Sequence, residues 1–521
     1  MDYSRRQFLD RVGAVAGSGT AYQLSMLLGL APSLAEATPR ATIATVSGDP
    51  VRVVILGAGI AGLVCAYELE RAGYDCTIVE ASPRIGGRNF TVRRGTVIDE
   101  MGNRQVCEFD DHPNLYFNAG PARIAAQHRL LLGYCRELDV KLEYFMDGNR
   151  QAWVQDPDAN DGKPMRAGEY VASARGFMTE LVAKSIKRGE YDQRFSEEDA
   201  ELIFEYMRSY GQLQPDGSYT GSSRAGYASG GMTEPGTYKS PLDYKALLSN
   251  FFWREFMHDT EGWDLCAPMM QAVGGNDRIV AGFVRNIRSQ VITNAPVQSI
   301  MQNGDGVEIV CNRDGAAHTI KADYCMNSIP AHLLPGIRND FSERYLAGLS
   351  ALERGTLMKV ALQMKERFWE REAIYGGITW TNQTVEQIWY PSQGIDDNKG
   401  IVLGAYPFEY ENQMALTRMT PAERIETVIE QGSRIHPNYG DYVENGVSVP
   451  WYRMNFLMGC GAEWRGDARE KYFRALQAPD RRHYLIGDQI SFHTSWQEGA
   501  VSSAHHALAH LNARVQAERG A

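Results

Sequence analysis

Residues 51–56 form a largely aliphatic, β-branched run that stops at Gly57, Gly59 and Gly62. A short apolar run bounded by glycines predicts a buried strand. Behind the glycines, Ile60, Leu63, Val64 and Tyr67 recur at i, i+3, i+4 and i+7, which predicts a helix with one apolar face. A second apolar run at 76–79 ends on Glu80, 18 residues beyond Gly62. Farther along, residues 124 to about 265 are mostly helical in pattern, with segments at 133–142 and 197–210 separated by a Gly/Ser-rich stretch, 211–236. Strand-like runs return at 291–300, 307–311, 322–326, 359–364, 374–380, 401–406 and 483–486. A last helix from about residue 497 carries the stripe Ala500, Val501, Ala504, Leu508, Leu511 and Val515.

This order predicts an α/β protein. A Rossmann-like nucleotide domain is built from discontinuous segments, 51–123, 266–330 and 450–521. A largely helical domain spans 124–265, and an α+β substrate-binding domain spans 331–449. At 521 residues the chain is too long for one ordinary core, which agrees with several domains.

Strand, glycine turn, helix, strand and acid together predict a dinucleotide cradle. Gly57 makes the turn, Gly59 lets the backbone approach a pyrophosphate, and Gly62 lets the helix pack on the strand. The pyrophosphate would sit at the helix N-terminus, where free N–H groups and the helix dipole favour an anion. Glu80 would accept hydrogen bonds from the ribose hydroxyls, and its charge opposes a 2′-phosphate. NAD and FAD remain open at this point.

Composition narrows the classes. The chain is 44% apolar and 22% charged with a net charge of −11, which gives no basis for a nucleic-acid or anionic-membrane partner. Its eight cysteines are scattered, without a C-x-x-C pair, so they indicate neither a zinc site nor a disulfide framework. Residues 1–37 resemble a twin-arginine export signal: Arg5-Arg6 precedes a mildly apolar segment, 13–30, that ends at Ala35-Glu36-Ala37. Residues 38–50 then read as a polar linker. The expectation is a periplasmic or secreted protein with no stable membrane association after export, assembled as a homodimer or larger homo-oligomer.

At Gly86-Gly87-Arg88, and again at Gly487-Asp488 and Trp496-Gln497-Glu498-Gly499-Ala500, the chain resembles the flavin-dependent amine oxidase family. That resemblance implies FAD. Its contacts would come from Gly57, Gly59, Ile60, Ala61, Gly62, Glu80 and Ala81 in the cradle, and from Gly87 and Arg88 in the second glycine turn. Pro121, Ala122, Arg123, Val297, Gly487, Asp488, Trp496 and Ala500 complete the set. The absence of a second G-x-G-x-x-G agrees, since an enzyme that reduces its flavin with NAD(P)H normally needs a second cradle. Cys460 falls one position from the cysteine that carries FAD in some relatives, so non-covalent FAD is expected.

Within the family, the segment Asn118 to Ile124 is most like bacterial L-amino acid oxidases, whose arginine clamps the substrate carboxylate. A guanidinium matches a carboxylate with two parallel N–H donors. Arg123 takes that part here, and a simple amine would leave it buried and unpaired. The resemblance also implies that Tyr390 donates its hydroxyl to the same carboxylate. A carbonyl at Ser495 would receive the amine, and Trp496 and Trp451 would wall the pocket. Gly461 would widen it for large side chains. Lys359 matches the family's lysine near the flavin, where its charge would stabilise reduced oxygen. His258 is the nearest candidate for a helical-domain base, though hydride transfer requires none. The implied reaction moves hydride from Cα to flavin N5, and O2 then reoxidises the flavin. The products are a 2-oxo acid, ammonia and hydrogen peroxide. The alternatives are a primary-amine or polyamine oxidase, and a flavin monooxygenase that makes an amide.

Overall fold

The computed structural model describes residues 40–520. The twin-arginine segment, 1–37, lies outside the described residues. The expected linker is a correction: residues 40–46 are bound to the core instead. The N–H groups of Ala41 and Ala44 donate to His505 Nδ1 and Asn512 Oδ1 at 3.2 and 2.9 Å, and Arg40 pairs with Glu68 and Glu137.

The nucleotide unit is a five-stranded parallel sheet. Its order is Gln290–Ile292, Asp75–Val79, Arg52–Leu56, Tyr324–Asn327 and His483–Leu485. Three sequence regions more than a hundred residues apart thus complete one sheet, as the scattered strand patterns predict. The helix Ile60–Arg71 follows the first strand and is buried over nearly its whole length. It packs between the sheet and the last helix, Gln497–Gly520. Leu63, Val64, Val501, Ala504, Leu508 and Leu511 share that core.

The second sheet has seven strands, in the order Met165–Arg166, Trp153–Gln155, Ile378–Thr381, Gln387–Trp389, Gly400–Ala405, Met358–Met364 and Val443–Pro450. Its central strands are buried on both faces. Alternate residues therefore feed two separate cores: Ala361, Trp389 and Leu403 on one side, Val360, Ile388 and Val402 on the other. Helix Pro421–Ser433, opened by a Thr420–Glu423 capping box, covers the second side.

Two expectations change. The segment 124–265 is not helical throughout: Trp153–Gln155 and Met165–Arg166 join the seven-stranded sheet before helices Ala167–Lys187 and Glu197–Gly211 begin. The run 291–300 is two strands in different sheets, Gln290–Ile292 and Val297–Gln302. Pro296, which lacks an N–H, marks the break. All eight cysteines are free, and no helix among the described residues is long and apolar enough to cross a membrane.

Candidate active site

A cavity of about 1450 Å³ runs between the two sheets. It is larger than a usual small-molecule pocket of roughly 300–1,000 Å³, and so can take a dinucleotide together with a small substrate. Gly57, Gly59, Ile60, Ala61, Glu80, Ala81 and Val297 line it, as do Gly87, Arg88, Pro121, Ala122, Gly487, Asp488 and Ala500. Gly57 adopts φ +93° and donates its N–H to the Val79 carbonyl at 2.8 Å, which closes the turn between the two strands. No atom lies within 4 Å of the place where a Cβ on Gly59 would sit. Gly59 also caps the helix without a side-chain acceptor, so the first N–H groups are left for a ligand. Gly62 is not a lining residue. A Cβ there would lie 2.1 Å from the Gly57 carbonyl oxygen, which is the helix-on-strand packing role expected for the third glycine. Both Glu80 oxygens accept backbone N–H groups, from Ala58 at 2.8 Å and Ser82 at 2.9 Å.

Arg88 crosses to pair with buried Asp488 and donates to the Cys460 carbonyl at 2.8 Å. Arg354 donates to the same carbonyl at 2.9 Å, while its Nε is buried without a partner. Burial, then the nearby Arg88 charge, lowers the Arg354 guanidinium to about 10. Two partly buried guanidiniums thus meet at one carbonyl while only Arg88 pairs with a carboxylate, an excess of positive charge that suits a diphosphate. The open cradle, the uncapped helix and this positive excess fit the dinucleotide that the sequence implies.

The seven-stranded sheet supplies the remaining wall. Lys359, 2% exposed, donates to the Asn118 and Gly120 carbonyls at 2.9 and 2.7 Å. Trp451 Nε1 donates to the Ala119 carbonyl between them at 3.0 Å. Burial, with a lesser contribution from the charge of Arg123, lowers the Lys359 ammonium to about 7. A Cβ on Gly120 would lie 1.8 Å from the Arg88 carbonyl oxygen, so only glycine fits there. The loop that carries Arg123 is held by three consecutive carbonyls.

Arg123 faces the cavity between the rings of Trp389 and Trp496, 4.9 and 5.9 Å from their centroids. Its Nη1 pairs with buried Asp147, and its other guanidinium nitrogens make no hydrogen bond among the described residues. This corrects one sequence inference: Arg123 has a partner without any substrate carboxylate, so its burial alone does not require one.

Tyr390 is a second correction. Its hydroxyl lies 2.8 Å from Thr379 Oγ1 and 2.6 Å from His436 Nε2, in the core behind the sheet. Strand alternation turns Trp389 and Gln387 to the cavity and Tyr390 away from it. Gly461 is a third. It does not line the cavity; a Cβ there would lie 2.4 Å from Ser495 Oγ, so it makes room for Ser495. Ser495 does line the cavity, in a left-handed conformation (φ +68°) held by its N–H to Asp488 at 2.8 Å. His258 is exposed and paired with Glu261. Sequence reasoning missed Trp389, Tyr406, Asp147, Asp259, Asp264 and His493. Trp389 and Asp259 are the immediate neighbours of the candidates Tyr390 and His258, whereas the other four stand in no local motif and reach the site only by long-range packing.

The sequence profile of the flavin-containing amine oxidoreductases matches residues 60–511. The flavin-dependent L-tryptophan oxidase RebO of Lentzea aerocolonigenes is 26% identical, over 87% of this chain and 96% of its own length. The L-amino-acid oxidase of Pseudechis australis is 24% identical, over 90% of this chain and 88% of its own. Among solved structures, cyclohexylamine oxidase from Brevibacterium oxydans IH-35A superposes with a TM-score of 0.61 at 17% identity, covering 90% of this chain and 100% of that one. Putrescine oxidase bound to putrescine gives 0.59 at 18% identity, covering 90% and 99%. The chain belongs to the flavin-containing amine oxidoreductase family.

Proposed function

From that membership, we propose that this protein oxidises L-amino acids with O2 and water to a 2-oxo acid, ammonia and hydrogen peroxide, using non-covalently held FAD. The carrying observation is Arg123, set in the cavity between two tryptophan faces with only Nη1 engaged by Asp147. The curated relatives, named as L-amino acid and L-tryptophan oxidases, support the same reading. The Arg123–Asp147 pair favours the rival reading, a primary-amine oxidase, because it satisfies the arginine without a carboxylate.

The flavin, when bound, supplies the two-electron acceptor that Cα–H oxidation needs. The chain contributes position and electrostatics. Nη2 and Nε of Arg123 would receive the substrate carboxylate, while Asp147 and the two indole rings fix the guanidinium plane. The Lys359–Trp451 clamp fixes the loop beneath it. The aromatic rings of Trp389, Tyr406, Trp451 and Trp496 exclude water from the reacting carbon. Lys359 keeps a cation in the cavity wall in the acidic range and holds less of it above about pH 7.

Peroxide and ammonia release across the twenty L-amino acids, putrescine and tyramine tests the proposal. Turnover of amino acids to the 2-oxo acid, with none of the amines, is expected. Turnover of the amines alone, or an amide product, refutes it. We also propose export by the twin-arginine route, with a mature chain that starts at Thr38; intact-mass measurement of the exported protein reads that terminus.

A further inference from the structure

Beside the cavity, and unused by the chemistry above, His128, Asp264 and His493 meet from three distant parts of the chain. One ring nitrogen of each histidine and one carboxylate oxygen all lie within 4.8 Å of one another. Asp264 Oδ2 is 2.8 Å from His493 Nε2, and Asp264 Oδ1 is 3.7 Å from His128 Nε2. His128 and His493 are 1% and 7% exposed. Both nitrogens of His128, Nδ1 of His493 and Oδ1 of Asp264 are buried without a hydrogen-bond partner. A buried polar atom left unpaired costs about 1–3 kcal/mol; two of the four, His128 Nε2 and Asp264 Oδ1, face each other across 3.7 Å, a gap that a shared cation would fill.

The geometry points to a zinc-type divalent cation site formed by His128, Asp264 and His493. Two imidazoles and one carboxylate are the donor set of borderline-soft metals, with ligand bonds of about 2.0–2.2 Å. Tetrahedral bonds of that length put donor atoms roughly 3.3 Å apart; one donor from each residue lies within 4.8 Å of the others, so an ion would draw the three together and replace the 2.8 Å hydrogen bond between Asp264 Oδ2 and His493 Nε2. Mg²⁺ and Ca²⁺ favour all-oxygen shells, and imidazole donors disfavour them. Three protein ligands leave the fourth position to the cavity that Asp264 and His493 line. His128 stacks edge-on against Trp496, with centroids 4.9 Å apart, so an ion here would also fix one wall of the substrate pocket.

The test uses the flavin-loaded full-length protein, stripped with a chelator and then titrated with Zn²⁺ by calorimetry, with metal content read by mass spectrometry. One Zn²⁺ per chain is expected, with micromolar or tighter affinity and no comparable Mg²⁺ or Ca²⁺ binding. His128→Leu and Asp264→Asn each weaken it about tenfold or more. Retained flavin absorbance and elution volume confirm that the variants fold. Should they not fold, Co²⁺ added to the unaltered protein decides the matter: four-coordinate ligand-field bands to the red of the flavin, displaced by Zn²⁺, are expected. No bound metal and no Co²⁺ bands in the unaltered protein, or Zn²⁺ binding unchanged in the variants, overturns the site. None of these readings uses amino-acid turnover, so this site and the proposed reaction stand or fall separately.

Discussion

The ammonium of Lys359 donates to the carbonyl oxygen of Gly120 across 2.7 Å, and that contact ties the seven-stranded sheet to the loop bearing Arg123. Asn118 and Trp451 complete the clamp. Lys359 is therefore a structural anchor as well as a cation in the cavity wall.

Lys359→Met leaves the Asn118 and Gly120 carbonyls without donors and should destabilise the protein by about 2 kcal/mol at neutral pH. The folded ammonium titrates near 7 and the unfolded one at 10.5. The folded state thus sheds its proton first, and the burial penalty, complete below 7, is relieved as pH rises toward 10.5. The melting temperature of the parent should gain on that of Lys359→Met over this interval; a constant difference would contradict it. O2 consumption by the chemically reduced variant should fall roughly 10²-fold.

Arg123→Met should lower kcat/KM for amino acids by about 10²-fold or more, near 3 kcal/mol, while flavin absorbance stays intact. Asp147→Asn keeps the shape but not the charge, and should raise KM more than it lowers kcat. Steady-state kinetics on both variants separates clamping from simple packing.

Asp259, on the cavity wall, is raised from 3.8 to about 6, chiefly by burial, with Asp147 adding to the shift and Arg123 opposing it. Because the unfolded carboxyl ionises first, this group lowers stability as pH rises from 3.8 to about 6. Above 6 its charge competes for Arg123, so KM for neutral amino acids should rise through that point. Asp259→Asn should flatten the profile.

Tyr390→Phe removes a hydroxyl that serves Thr379 and His436 behind the sheet. A loss of about 1–2 kcal/mol in stability is expected, with KM unchanged. A large rise in KM at normal stability would return Tyr390 to the substrate.

Gly59→Ala adds a methyl into open cavity, whereas Gly62→Ala drives one into the Gly57 carbonyl. The first should fold and bind FAD more weakly, as flavin released on dilution will report. The second should lose about 1–3 kcal/mol to overpacking, visible in the melting temperature.

The glycine cradle, its helix and the last helix were legible in the chain because each is written in contiguous residues with apolar positions at helical or strand spacing. Most strands of the parallel sheet were also visible, though Gln290–Ile292 was fused with its neighbour, and the glycine motifs near both ends of the chain indicated one nucleotide domain built from separated segments. Tyr390 was assigned to the substrate by resemblance alone; it follows a strand buried on both faces, where alternation says that Trp389 and Tyr390 point opposite ways, but not which one meets the cavity. Asp147 and the His128, Asp264 and His493 cluster carried no local signal at all. By itself, then, the sequence determined the nucleotide cradle, since local spacing sets strand, turn and helix, and the flavin followed from the resemblance carried by Gly86-Gly87-Arg88, Gly487-Asp488 and Trp496 to Ala500. Tertiary structure alone decided what Arg123 pairs with, what Lys359 holds and which buried histidines meet, because those partners lie 24 to 365 residues apart and only packing of the two sheets brings them within bonding distance.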